Sequence, residues 1–340
     1  MNRNAAGGAR DGGGDPRPRR QPAVAAHGPD LLVNYRPEGE GFAPGSRAAS
    51  YAVVYVRPET NGVLYERAIA AAIRRRGEEV VYLANLGGGL IRRDGILQDH
   101  YATQLRFAED PQREVARYPE FARRLERHFG APAAKLSLVG AFQAAARTGM
   151  SEEELFETMV PQADFLTCWG QQFKRIGGTV VANPGLPAVL KRCGPSANLF
   201  VVAIRSADGS PDFFASLNRA IYEEVCSRGD TPLVDGDKLG SVRWPERVRR
   251  TYHISRTHLM AMYDMADFVY LEAGRRLEVA RTPLGSSLLA NGIVTEPRLR
   301  SLKADPLAYS GQGAHRILHY LPLAGQGRSL AWVRELLRRL

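Results

Sequence analysis

Cysteine is scarce in this chain: Cys168, Cys193 and Cys226 stand far apart among 340 residues. So odd and scattered a set argues against a disulfide framework and has no zinc-type pair spacing, so a reducing compartment, the cytoplasm, is expected. Long apolar runs are missing too. None approaches the roughly 20 residues that span a bilayer, and the N-terminus lacks a signal-like apolar core, so no membrane association is expected. No Gly-x-Gly-x-x-Gly follows the first strand-like run; Gly87, Gly88 and Gly89 follow the second instead, outside the dinucleotide fingerprint. The Gly285, Ser286, Ser287 run makes no Gly-x-Ser-x-Gly elbow. Acidic residues are the minority, 36 against 46 basic, for a net charge of +10. Such a balance favours anionic ligands, but the arginines are scattered over helix faces, and charge alone does not single out nucleic acid as a partner.

What is present is a hydrophobic share of 44%, enough for one or two globular cores. Residues 1–48 are rich in Gly, Pro, Ala and Arg without apolar periodicity and are expected to form a mobile tail. From Tyr51 the pattern turns regular. AVVYV reads as a strand, LYERAIAAAIRRRG as a helix stopped by Gly77, and VVYLANL as a second strand. Such a βαβ unit begins either a split βαβ (ferredoxin-like) sheet or a doubly wound one. Helices are expected near residues 98–107, 118–129 and 142–147, with a short strand in AAKLSLVGAF between the last two. Another helix is expected to start at SEEELFETMV, where Ser151 caps and three glutamates complement the helix dipole. LFVVAIRS and the helix after it repeat the opening pattern, a weak sign of duplication. Residues 258–279 read as one helix, and SLAWVRELLRRL as an amphipathic one at the end.

Arg57, Pro58 and Glu59 close the first strand; Arg75, Arg76 and Gly77 close the first helix; His100 and Tyr101 follow the second strand. Further on come Phe121, a turn at Pro132 and a strand ending at Gly140. In order and spacing these residues resemble the nucleoside diphosphate kinase family, over about residues 50–147. The family's lysine at the end of the first strand is Arg57 here. A second stretch resembles that family's active-site half: Gly229, Thr231 and Pro232, then Gly240 through Arg243, then Arg250, His253 and Ser255, with no Asp after the serine.

The resemblance implies an α+β protein with a ferredoxin-like antiparallel sheet and helices on one face, elaborated by a large insertion or a second related domain. Segments 1–48, 49–147, 148–295 and 296–340 are the expected divisions. It also implies a nucleotide or other phosphate-bearing ligand, Mg²⁺ bound with it, and self-association. His253 would carry the phosphate as phosphohistidine. Arg57, Tyr101, Thr231, Arg243 and Arg250 would hold the phosphates, and Phe121 would stack on the base. Two rivals stand beside the kinase: a non-catalytic module that binds nucleotide or another phosphate ligand, and a tailoring enzyme for an unknown metabolite on the same scaffold.

Taken one at a time, the arginines read equally as solvated surface charges and Tyr101 as a half-buried helix aromatic. His253 and His258, five apart, would face different sides of a helix, so no metal pair is expected from them. His100 reads as a polar helix residue, the Met260, Met262 and Met265 cluster as packing, and VDGDKLG as a hydrophilic turn.

Overall fold

The strand β2 (Ser50–Val56) is buried at every position, so both of its faces are covered. The structure is a computed structural model that describes residues 28–35, 49–58, 63–207, 212–227, 251–272 and 274–304. In chain order, β1 (Asp30–Val33) precedes β2, and α1 (Val63–Arg75) and β3 (Glu79–Gly87) follow it. Five helices come next: α2 (Gly88–Arg93), α3 (Ile96–His100), α4 (Ala102–Glu109), α5 (Pro111–Arg117) and α6 (Pro119–Phe129). After β4 (Leu138–Gly140), α7 (Ala141–Thr148) and α8 (Glu152–Glu157) come β5 (Phe165–Cys168), β6 (Gln171–Ile176), β7 (Thr179–Ala182) and α9 (Leu186–Arg192). The chain then returns through β8 (Asn198–Ser206), α10 (Phe213–Ser227), β9 (Tyr252–Ile254), α11 (His258–Phe268), α12 (Pro283–Ala290) and α13 (Glu296–Ala304).

The larger sheet has the order β1-β3-β8-β2-β9, with every neighbouring pair antiparallel. Ala52, Val54 and Val56 face α1 and α10, where Ile69, Ile73, Leu217 and Ile221 close one core. Tyr51, Val53 and Tyr55 face the other way, against Leu90, Ile96, Met265 and Phe268 of α2, α3 and α11. Helices therefore cover both faces, a correction to the one-face expectation. A strand clothed on both sides has no polar face to alternate, which is why AVVYV is apolar throughout.

The smaller sheet, β4-β7-β6-β5, is built wholly between β3 and β8. The β4–β7 pair is parallel and the others antiparallel. Gly177 (φ 54°) and Gly178 (φ 82°) make the two-residue turn between β6 and β7, where both positions need positive φ. Gly140 ends β4 under α4: a Cβ there would lie 2.0 Å from the Ala108 carbonyl oxygen, so only glycine permits that approach. The division expected at 147 falls inside this unit, since β4 precedes it and β7 follows it.

Two further expectations differ. Within 1–48, Asp30–Val33 forms the edge strand β1 on β3, and Tyr35 is buried against the core. A short apolar run needs only an open sheet edge to order it. The helix read over 258–279 ends at Phe268, after which Val269 and Tyr270 are extended and Tyr270 bridges to Arg276. The C-terminal amphipathic helix lies outside the described residues.

The cap at Ser151 forms as expected: its hydroxyl accepts from the Glu154 N–H, and the Glu154 carboxylate accepts from the Ser151 N–H. Ser151→Ala is expected to lower stability by about 1 kcal/mol, seen as a lower urea midpoint at unchanged slope. An unaltered midpoint would mean that α8 frays without cost to the fold.

Candidate functional site

Tyr55 lies near the end of β2 with its ring 2% exposed, and burial pushes its phenol well above the usual range. Its hydroxyl hydrogen-bonds that of Tyr101 at 2.9 Å, just past the end of α3. The His253 imidazole, on β9, stacks on the same ring at 4.6 Å between centroids and 15° between planes. Strand pairing dictates this, because Tyr55 and His253 are register partners in the β2–β9 ladder. One residue beyond the ladder the Arg57 N–H donates to the Thr251 carbonyl at 3.0 Å, which holds Arg57 beside β9.

Behind His253 lies an ionic cluster. Asp264, 3% exposed on α11, accepts from His253 Nε2 at 3.1 Å and from Ser255 Oγ at 2.6 Å. Ser255 Oγ in turn accepts the Val53 N–H at 3.0 Å, tying the cluster to the centre of β2. His100 Nδ1 sits 3.7 Å from Asp264 and 3.3 Å from Asp267, and Asp267 is paired with Lys303 of α13. Burial holds His253 below the ordinary imidazole range, although Asp264 opposes this, so the ring is neutral near pH 7. Burial alone would raise Asp264, but the His253 and His100 imidazoles and the hydrogen bonds from His253 and Ser255 outweigh it and keep the carboxyl below its usual range. The result is a neutral imidazole with its proton on Nε2, aimed at a carboxylate, which leaves the Nδ1 lone pair unprotonated.

His100, His253 and Asp264 also bring three ligand atoms within 4.8 Å of one another. Two imidazole nitrogens and a carboxylate suit a borderline cation such as zinc better than Mg²⁺, which prefers oxygen. His258, the other histidine of the five-residue pair, instead packs edge-on against Phe214 at 5.0 Å.

Beside this cluster opens a cleft of about 370 Å³. One wall comes from the larger sheet and its helices: Arg57, Tyr101 and Arg256, while Gln104 lies on α4, which packs on β4, α5, α7 and α9. The smaller-sheet unit contributes the other, including Phe156, Phe165, Gln172, Lys174, Leu186 and Val189. Asn183 (φ 50°) ties the smaller sheet to α4. Its Oδ1 accepts from the Gln172 N–H at 2.8 Å and its Nδ2 donates to the Gln104 carbonyl at 2.9 Å. Lys174 is committed to structure: its Nζ donates to the carbonyls of Thr158, Phe156 and Leu155, closing the C-terminal end of α8.

Of the residues singled out in the sequence, Arg57, Tyr101 and His253 are thus brought together, with His253 beside the cleft and not among its lining residues. Thr231, Arg243 and Arg250 lie outside the described residues. Phe121 is not available for stacking: it has no exposed surface and packs among Phe107, Phe173 and the edge-on Trp169 ring, in the core under the smaller sheet. Helical spacing places it on the apolar face of α6, and burial of that face decides its role. Sequence pattern singles out Ser255 beside His253 but assigns no role to Asp264, Asp267 or His100. A signal for the aspartates does exist in HLMAMYDMADF, where two acids three apart sit on an otherwise apolar helix.

Comparison of the chain with protein-family models, with curated proteins and with solved structures finds no match in any of the three. No helix among the described residues is long and apolar enough to cross a membrane, and all three cysteines are free thiols.

Proposed function

We propose that the protein binds a nucleotide or another phosphate-bearing ligand in the cleft and carries its terminal phosphate on His253, in the manner of a nucleoside diphosphate kinase. One convergence supports this reading. Arg57, Tyr101 and His253, on three distant segments, gather around the single buried ring of Tyr55. The strand order β3-β8-β2-β9, with α1 and α10 packed together on one face, supports a split βαβ (ferredoxin-like) core in which residues 88–197 are an insertion and β1 an added edge.

The chemistry follows from the proton on Nε2. His253 Nδ1 attacks the terminal phosphorus, an N–P bond forms, and the bond from phosphorus to the bridging oxygen breaks. The electron pair leaves with the shortened phosphate chain. No proton moves, because the positive charge appearing on the imidazole faces the Asp264 carboxylate. The Arg57 and Arg256 guanidinium groups stabilise charge on the phosphate oxygens, and the terminal oxygen of a diphosphate acceptor reverses the step. Mg²⁺, which the resemblance implies, finds no carboxylate among the residues lining the cleft, so the ligand's own oxygens would hold it and no step is routed through it.

Incubation with γ-labelled ATP and Mg²⁺ is expected to leave an acid-labile, alkali-stable label, lost in His253→Gln and slowed about 100-fold or more in Arg57→Ala. Folded wild-type protein that takes up no label defeats the catalytic reading. A binding module without turnover is the second reading. It is favoured by the position of His253, whose side chain is only 18% exposed and does not line the cleft. Saturable nucleotide binding in calorimetry, with no phosphate exchange between ATP and a diphosphate, would decide for it.

A further inference from the structure

Resting on the phosphate reading of Arg57 and Tyr101, we infer that the smaller-sheet unit is the recognition element for the rest of the ligand, and that it takes a planar heteroaromatic ring, a nucleobase. The two walls of the cleft differ in chemistry. The larger sheet's wall carries the guanidinium groups of Arg57 and Arg256 and the Tyr101 hydroxyl, which suit phosphate. The inserted wall carries the half-buried rings of Phe156 and Phe165 with Leu186 and Val189, and its one cation, Lys174, is bound to three carbonyls. A phosphate chain gains nothing on such a wall; a flat apolar ring does.

Phe165 opens β5 and lies outside all five hydrophobic core clusters, although most other phenylalanines of the inserted unit are packed into one. An aromatic side chain left half-exposed at the mouth of a cleft is a stacking surface. Gln172, exposed on β6, and Gln104, half-buried on α4, bring two side-chain amides to the cleft from this same unit. An amide offers both a donor and an acceptor, the pair needed to read the edge of a base. The backbone around these residues is fixed. Asn183 commits its side chain to Gln172, Gln104 and Gln171, so the two amides are carried on a braced join between β6 and α4 within the inserted unit. Phe121, the stacking residue that the resemblance implies, is sealed in the core under this same unit, so it leaves base recognition to the cleft wall.

The test is calorimetric titration of the full chain with the four ribonucleoside triphosphates and with inorganic tripolyphosphate. At least one nucleotide should bind about tenfold or more tighter than tripolyphosphate. Phe165→Ala and Gln172→Ala should each weaken that nucleotide several-fold and leave tripolyphosphate unchanged, while Arg57→Ala should weaken both. Gln172 is exposed, so its variant keeps the test valid if Phe165→Ala fails to fold. Equal affinity for every nucleotide and tripolyphosphate would overturn base recognition and leave the phosphate reading standing. Wall variants that bind the nucleotide as tightly as the wild type would overturn base recognition as well. Failure of tripolyphosphate and all nucleotides to bind would overturn both.

Discussion

Asp264→Ala is expected to cost about 3 to 5 kcal/mol of folding free energy, the range for removing one partner from a buried charged network. The carboxylate is 3% exposed and accepts hydrogen bonds from His253 and Ser255 with His100 close by. Alanine leaves those donors facing a void that water does not fill on equal terms. Asp264→Asn keeps the shape and one acceptor oxygen, and should recover about half of the loss. Equilibrium urea unfolding of the three proteins gives the comparison, and a fall of under about 0.5 kcal/mol for Asp264→Ala would show that the cluster is solvated. Phosphohistidine formation should fail in Asp264→Ala even under conditions where it is folded. Without the carboxylate, nothing holds the proton on Nε2 or balances the charge on the phosphorylated ring.

The second large effect concerns acid. Burial pushes His258 down from an ordinary value of 6.5 to about 4. It is the first residue of α11, packed on Phe214, where a positive charge would also oppose the helix dipole. The unfolded chain takes up the proton first as pH falls. Stability is therefore complete above about pH 6.5 and is lost between there and pH 4, by about 2 to 3 kcal/mol at 1.36 kcal/mol per unit, reduced because the ring is only half-buried. His253 is shifted in the same direction and adds to the loss. His258→Phe should flatten the decline measured by urea unfolding at pH 7, 5.5 and 4. A decline equally steep in the variant would assign the acid sensitivity elsewhere.

Site and fold differ in how far they can be read in advance. The βαβ run from Tyr51 to Leu83 is legible because strand and helix periods are local, and so is the cap at Ser151, whose partner Glu154 is three residues away. The smaller sheet is not. Beyond β4, which the alternation in AAKLSLVGAF marks, its strands are four to six residues long and the Gly177 and Gly178 turn is their one strong local mark. Phe121 is legible as an apolar helix position, yet whether such a face meets a ligand or a core depends on what packs against it. Here that is β6 and Trp169, some fifty residues further on.

By itself the sequence determined the alternation of strands and helices in the first block, the return of that pattern at Asn198, and the gathering of basic, tyrosine and histidine residues at element ends. All of these depend on neighbours within a few positions. Only the tertiary structure decided that β8 lies between β3 and β2, that helices cover both faces of the larger sheet, and that His100 and Asp264 meet at His253. The physical reason is that a site is made by strand register and burial. The β2–β9 pairing sets His253 beside Tyr55, and burial there lowers the His253 imidazole while hydrogen bonds from His253 and Ser255 help hold the Asp264 carboxyl below its usual range.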